Sequence, residues 1–254
     1  MTTSTQSAAP AQRQGRRQLP ALLRASHPRQ ALAIAVVVGA LVGLSTSEDD
    51  GGRILSTVVL AGAAALVVQL VMGLVNDLLD VELDRASGSE DKPIALGVVP
   101  PGNASFAIAV LLLVAIPLAL QNGTTAGVYL LGTLVVGYVH NRWLHRTALS
   151  WVGWAATFAM LAAFVTWCGW GRGTDGSAPL TWFVVLSAAL GICVHFLTSL
   201  PDLVRDNASR VRHLPLRVAL HTGATKLLVI SGVLTLLVLA TLVAQILSAG
   251  TIRQ

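Results

Sequence analysis

The chain has 254 residues, 54% of them hydrophobic and 11% charged, with a formal net charge of +5 and a mean hydropathy of +0.70. Soluble domains carry roughly 25% charged residues, so the composition excludes an ordinary soluble domain and reads as an integral membrane protein. The basic residues are spread unevenly among the connections, a pattern that speaks of topology and not of nucleic-acid binding.

Residues 1–19 (MTTSTQSAAPAQRQGRRQL) are polar and lack an apolar core, so they read as a disordered cytoplasmic tail and not as a secretory signal. Residues 20–254 read as one transmembrane domain, with no internal repeat strong enough to divide them. A bilayer core about 30 Å thick takes roughly 20 apolar residues per helix. Seven runs qualify, near 30–46, 54–75, 104–121, 124–140, 148–168, 179–199 and 224–248. The expected fold is therefore all-α, a polytopic transmembrane bundle of about seven spans. Cys168 and Cys193 lie inside apolar runs without CxxC or metal-ligand spacing and read as small buried hydrophobes.

Basic residues near span ends favour the cytoplasm. The tail holds Arg13, Arg16, Arg17, Arg24 and Arg29; the second, fourth and sixth connections hold Arg85, Lys92, Arg142, Arg146, Arg205, Arg210, Arg212 and Arg217. The other side holds only Arg53, Arg172 and Arg253, beside the acidic SEDD at 47–50. All seven spans then obey one arrangement, with the N-terminus inside and the C-terminus outside.

Two acidic clusters fall on the cytoplasmic side. NDLLDVELD (76–84) closes span two and DLVRD (202–206) closes span six. On a helix Asn76, Asp80 and Asp84 recur at i, i+4 and i+8, Asp77 joins their face, and Glu82 points away. Asp202 and Asp206 repeat the i, i+4 spacing. One such aspartate is ordinarily a solvated helix end or a cap. Five together repel one another, and an intramembrane carboxylate costs ~2.5–3.5 kcal/mol. Hard divalent cations bridged by carboxylates and substrate phosphates supply the missing charge. Two metal sites facing each other suit one diphosphate, which would leave an allylic carbon as an anion stabilised by the metals. A lipid tail on the substrate explains a site within a membrane.

These residues resemble the UbiA superfamily of intramembrane aromatic prenyltransferases. NDLLDVELDR resembles that superfamily's NDxxDxxxD motif, and DLVRD its second DxxxD motif. DKPIALGVVPPGNAS (91–105) is similar to the segment after the first motif, YVHNRW (138–143) to a YxxxK element with Arg142 in place of Lys, and LLRASHP (22–28) to the basic entry of the first helix. The resemblance runs from about residue 20 to 250. It implies Mg2+ held by Asn76, Asp80, Asp202 and Asp206, with catalytic roles for Asp77 and Asp84 beside the metal. It also implies diphosphate contacts from Arg142, and from Lys92 and Arg24, although topology alone accounts for these cations equally simply. Arg205, with Arg210 and Arg212, would suit an anionic acceptor or merely set topology. Members of the superfamily usually have nine transmembrane helices. Seven are counted here, which leaves open how the tail pocket is closed and whether a second subunit closes it.

The activity implied is Mg2+-dependent transfer of a polyprenyl group from a prenyl diphosphate to a small, aromatic-type acceptor through an allylic cation. The alternative is a membrane terpene cyclase, in which the substrate's own double bonds capture the cation. A cation-coupled transporter would need broken midplane helices, whereas these acids sit at span ends. Trp151, Trp154 and Phe158 form a stripe that suits either a cation pocket or, with Trp143, an interfacial belt. His195 reads as a late base or as an interhelical hydrogen-bonding residue.

Overall fold

The computed structural model describes residues 18–45, 51–86, 88, 91–168, 181–208 and 211–251, without the side chains of 51–53 and 249–251. Most of the expected tail (1–17), the SEDD segment, the Gly-rich link at 169–180, and Arg172, Arg210 and Arg253 lie outside the described residues.

Among the described residues the chain is helical, with no strand. Residues 18–25 form a short entry helix. It is followed by α1 (Pro28–Ser45), α2 (Gly51–Leu79), α3 (Val81–Ala86), α4 (Pro101–Leu120), α5 (Thr124–Val139), α6 (Ser150–Cys168), α7 (Thr181–Ser199), α8 (Leu203–Ala208), α9 (Leu214–Thr222) and α10 (Ala224–Thr251). Residues His140–Leu144 form a π-helical turn and Leu200–Asp202 a 3-10 turn. The long helices α1, α2, α4, α5, α6, α7 and α10 fall on the seven expected runs. Six of the apolar segments are long enough to cross a bilayer, α7 and α8 being continuous across the 3-10 turn. The 16-residue α5 is slightly shorter.

Helix α2 packs against α1, α4 and α5, while α7 packs against α6 and α10, and α1 touches α6 to close the bundle. The main core joins Val38 and Val42 of α1, Ala61, Ala64, Ala65 and Val68 of α2, Leu130 of α5 and Phe164 and Val165 of α6. The alanines let the α2 backbone approach its neighbours closely. Between membrane helices such packing supplies attraction that hydrophobicity cannot, because lipid is equally apolar. Large side chains such as Phe106, Leu113 and Leu236 point outwards, about 70% exposed, as lipid-facing residues do. A second, smaller core lies under the first acidic motif. There Ala25 of the entry helix, Leu74 of α2, Val81 of α3 and Ile94 and Val99 of the following loop pack together, fixing that loop against the carboxylates.

Candidate active site

The apolar run of α2 does not end where its hydrophobicity fades. The helix continues to Leu79, so Asn76 and Asp77 sit within it. The helical ladder then bridges the junction with α3: Asp80 N–H donates to Asn76 O at 3.0 Å and Asp84 N–H to Asp80 O at 2.8 Å. Asn76, Asp80 and Asp84 therefore stack at one-turn intervals. Asp77 and Asp84 are buried, Asn76 and Asp80 half-buried. The Glu82 side chain is 88% exposed and receives Arg85 at 3.1 Å.

Asp77 is gripped from two sides. Its Oδ1 accepts from Lys92 Nζ at 2.5 Å and from His27 Nε2 at 2.8 Å. His27 lies in the turn between the entry helix and α1 and holds a left-handed backbone, φ 52°, uncommon for a residue with a Cβ; the Asp77 contact anchors its ring. The turn can approach because position 73 is glycine: a Cβ there would lie 2.4 Å from Ser26 O. Arg24 takes another course. It pairs with Asp91 at the rim of a pocket lined also by Pro20, Pro93 and Leu96, apart from the cavity at Asp80.

Asp80 faces the π-helical turn. Its Oδ1 lies 3.7 Å from His145 Nε2 and 3.8 Å from Arg146 Nη2, beyond direct hydrogen-bond length. Asp80, Leu79, Asn141, Arg142, His145 and Arg146 line a cavity of about 170 Å3. In this turn His145 N–H donates to His140 O at 2.9 Å, an i to i+5 bond. Arg142, His145 and Arg146, spaced i, i+3 and i+4, line the one cavity, and π insertions such as this one often mark functional sites. Arg142 also lies over Trp143, 5.8 Å from the ring centre. Burial pushes the Asp80 carboxyl above the ordinary carboxylate range, against the opposing charges of His145, Arg146 and Lys92. Burial likewise raises Asp84, with Asp80 and Asp77 adding to it and Lys92 and Arg205 opposing it. Burial lowers His145, and the Asp80 charge opposes that shift. The nearby cations thus leave the two carboxylates under-compensated.

At the second motif, Pro201 sits in the first turn of the 3-10 segment and α8 restarts at Leu203. Asp202 pairs with Arg205 at 3.0 Å, both about half exposed. Asp206 pairs with His213 at 2.9 Å. The loop between them is tied back by Val211 N–H to Asp206 O at 3.0 Å, and by Arg212 N–H to Arg146 O at 3.3 Å. That last bond joins the second motif to the cavity wall, and the field of Arg205 reaches Asp84. The structure thus brings together Asn76, Asp77, Asp80, Asp84, Lys92 and Arg142, while Asp202 and Asp206 are paired with Arg205 and His213 and Arg24 with Asp91.

Sequence reasoning missed His27, His145, Arg146 and His213 at this site. His145 and Arg146 follow the quoted YVHNRW after Leu144, and their i+3 and i+4 spacing from Arg142 is the signal that could have found them. His195 is buried between α6 and α7, 2.8 Å from Ser150 Oγ and stacked on Trp154 with ring centres 5.5 Å apart. Its interhelical hydrogen bond is therefore present. Trp154 continues to Phe158 at 6.4 Å.

A divalent ion fits this donor set. Asp77 Oδ2 and Asp80 Oδ1 are buried oxygens without a hydrogen-bond partner. Among the described residues no three side chains converge to cage an ion by themselves. Mg2+ is typically held by one or two carboxylates together with waters and substrate phosphates and needs no all-protein cage.

The UbiA prenyltransferase family model matches residues 32–252. The chain belongs to the UbiA prenyltransferase family. Its fold is similar to that of a UbiA homologue from Archaeoglobus fulgidus solved with GPP and Mg2+, at 16% identity and TM-score 0.69, covering 91% of this chain and 82% of that one. The same homologue solved with DMAPP and Mg2+ gives 16% identity and TM-score 0.68 over the same shares. A structure described as concerning digeranylgeranylglyceryl phosphate synthase in membranes gives 18% identity and TM-score 0.61, covering 92% of this chain and 84% of that one. No curated protein matches the chain. Family and fold thus agree with the resemblance carried by the two acidic motifs.

Proposed function

We propose that the protein ionises an allylic prenyl diphosphate at its acidic cluster and transfers the prenyl group to a small acceptor, with aromatic rings the favoured class. The observation that carries this reading is two buried carboxylate oxygens without a hydrogen-bond partner, Asp77 Oδ2 and Asp80 Oδ1, with Asp80 lining a cavity walled also by Arg142 and Arg146. Such a site offers anionic oxygens to a metal and guanidinium forks to phosphate. The A. fulgidus homologue's complexes with prenyl diphosphates and Mg2+ support the same assignment.

Asn76 and Asp80 would hold one Mg2+, with Asp77 and Asp84 beside it, and Asp202 and Asp206 would hold a second. A metal held by these residues would supply the positive charge that offsets the charge developing on the departing diphosphate. Arg142, with Arg146, receives the diphosphate oxygens; a guanidinium makes bidentate contacts there that an ammonium cannot. Lys92 is committed to Asp77, so we assign it to holding that carboxylate in place. The C–O bond at the allylic carbon breaks, its electron pair leaves with the diphosphate, the acceptor's nucleophilic atom closes the new bond, and a base or the released diphosphate takes the proton that the acceptor loses. Arg142, Arg146, Arg205, Arg212 and Arg217 gather around the ends of α5 and α7, which supports a site opening to the cytoplasm and a cytoplasmic N-terminus.

Membranes containing the protein, incubated with Mg2+ and geranyl, farnesyl or geranylgeranyl diphosphate, test this reading. Acceptor-dependent consumption is expected. Cyclic hydrocarbon or terpene alcohol formed without acceptor would instead identify a cyclase, and no diphosphate release from any substrate would overturn both.

A further inference from the structure

We infer that His213 is a positioning residue for Asp206, a histidine locked in one tautomer by a helix cap so that its remaining N–H is aimed at the carboxylate. This rests on the diphosphate-and-metal reading above.

His213 is the N-cap of α9, with extended backbone (φ −66°, ψ 160°), and its side chain accepts from Leu216 N–H. The accepting atom is Nδ1, at 3.1 Å. A ring nitrogen that accepts a backbone N–H carries no proton, so the neutral imidazole must carry its proton on Nε2. Nε2 lies 2.9 Å from Asp206 Oδ2 and donates to it. The cap and the carboxylate contact are thus two ends of one ring, and the first dictates the form of the second.

The ring has little freedom to turn away. His213 is buried, and the His195 ring stands edge-on to it at 6.3 Å. The residue after it is pinned as well, since Leu214 N–H donates to Ser150 Oγ at 3.2 Å, the same hydroxyl that pairs with His195. Pro215, in the first turn of α9, has its backbone preset for a helix start. With Oδ2 of Asp206 committed to His213, Oδ1 is the oxygen offered to a ligand. Three of the chain's six histidines each face one carboxylate of the site: His27 at Asp77, His145 at Asp80 and His213 at Asp206. Of these, His213 is the one whose tautomer a backbone contact fixes. Partners that orient a ligating side chain in this way typically account for about 10–100-fold in metal affinity.

Two substitutions separate the two ends of the ring. His213→Asn keeps a good N-cap acceptor but cannot reach Asp206 as a donor. His213→Gln places an amide N–H near the position of Nε2 and gives up the cap. The readout is Mn2+ affinity of the purified protein in nanodiscs with geranyl S-thiolodiphosphate, followed by the electron paramagnetic resonance signal of free Mn2+. We expect His213→Asn to weaken Mn2+ binding about 10–100-fold and His213→Gln to stay close to wild type. Wild-type affinity in His213→Asn overturns the inference while leaving the parent reading intact. Absence of Mn2+ binding by the wild type overturns the parent reading and this inference with it. Should His213→Asn fail to fold, nitrogen-15 spectra of the wild-type histidines decide: Nε2–H at His213 is expected, and Nδ1–H contradicts the proposal.

Discussion

Lys92 Nζ lies 2.5 Å from Oδ1 of Asp77, a carboxylate that is 1% exposed. Sequence alone offered both residues to the substrate, one as a ligand neighbour and one as a diphosphate contact. The structure spends Lys92 on Asp77. Removing one partner of a buried ion pair costs about 3–5 kcal/mol, because the other charge is left uncompensated. Lys92→Met should therefore lower the thermal midpoint of the detergent-solubilised protein markedly, somewhat moderated by the remaining His27 contact. Asp77→Asn combined with Lys92→Met should recover most of the loss. A Lys92→Met protein of unchanged stability would return Lys92 to the diphosphate.

Gly73 is where the entry helix reaches the site. A Cβ at this position would meet the Ser26 carbonyl oxygen at 2.4 Å and its carbon at 2.6 Å. Backbone cannot yield as a flexible side chain can, so Gly73→Ala should displace the turn carrying His27 at an overpacking cost of about 1–3 kcal/mol. Loss of turnover together with a lowered midpoint is the expected result.

Asp80 should trade stability against function. Burial raises its carboxyl, so its charge is unfavourable to the fold when no cation compensates it. In Mg2+-free buffer at neutral pH, Asp80→Asn should raise the thermal midpoint. Turnover should fall about 10³-fold, as expected when several kcal/mol of metal-derived stabilisation is lost.

Mg2+ should stabilise the protein in a pH-dependent manner. Asp80 and Asp84 are both raised, so between the ordinary carboxylate pKa and their raised values the fold retains protons that the unfolded chain has released. Without metal, these groups cost stability as pH rises through that window, and the cost stands in full above it. Mg2+ bound to the ionised carboxylates, as proposed, would stabilise the fold by mass action. The Mg2+-induced rise in thermal midpoint should thus be present at pH 7 and vanish as pH falls through the raised pKa values. Thermal scans with and without Mg2+ from pH 4 to 8 measure it.

The spans were legible because lipid imposes a length on apolar runs, and α1, α2, α4, α5, α6, α7 and α10 follow it. The face shared by Asn76, Asp80 and Asp84 was legible because the helical ladder continues through Asp80. Glu82, read as pointing away, is on the exposed side. What periodicity could not supply was the partner of each acid. His27 reaches Asp77 from 50 residues away, and Lys92 reaches it across a loop whose path depends on the packing of Ile94 and Val99. His145 and Arg146, three and four residues after Arg142, share its helical face, but nothing in their spacing names Asp80 as the acid they face. Arg24, grouped with Lys92 by charge and position, is drawn instead to Asp91.

In the proposed reaction, buried carboxylates and a divalent ion together release diphosphate from an allylic substrate. Its most direct test is diphosphate release from geranylgeranyl diphosphate by the purified protein in proteoliposomes, with Mg2+ or with chelator, for the wild type, Asp80→Asn and Asp202→Asn, each with and without an acceptor panel. Mg2+-dependent release by the wild type, abolished by chelator and lost in both variants that remain folded, is the predicted result. Release that persists in chelator, or that either variant retains at the wild-type rate, would contradict the account.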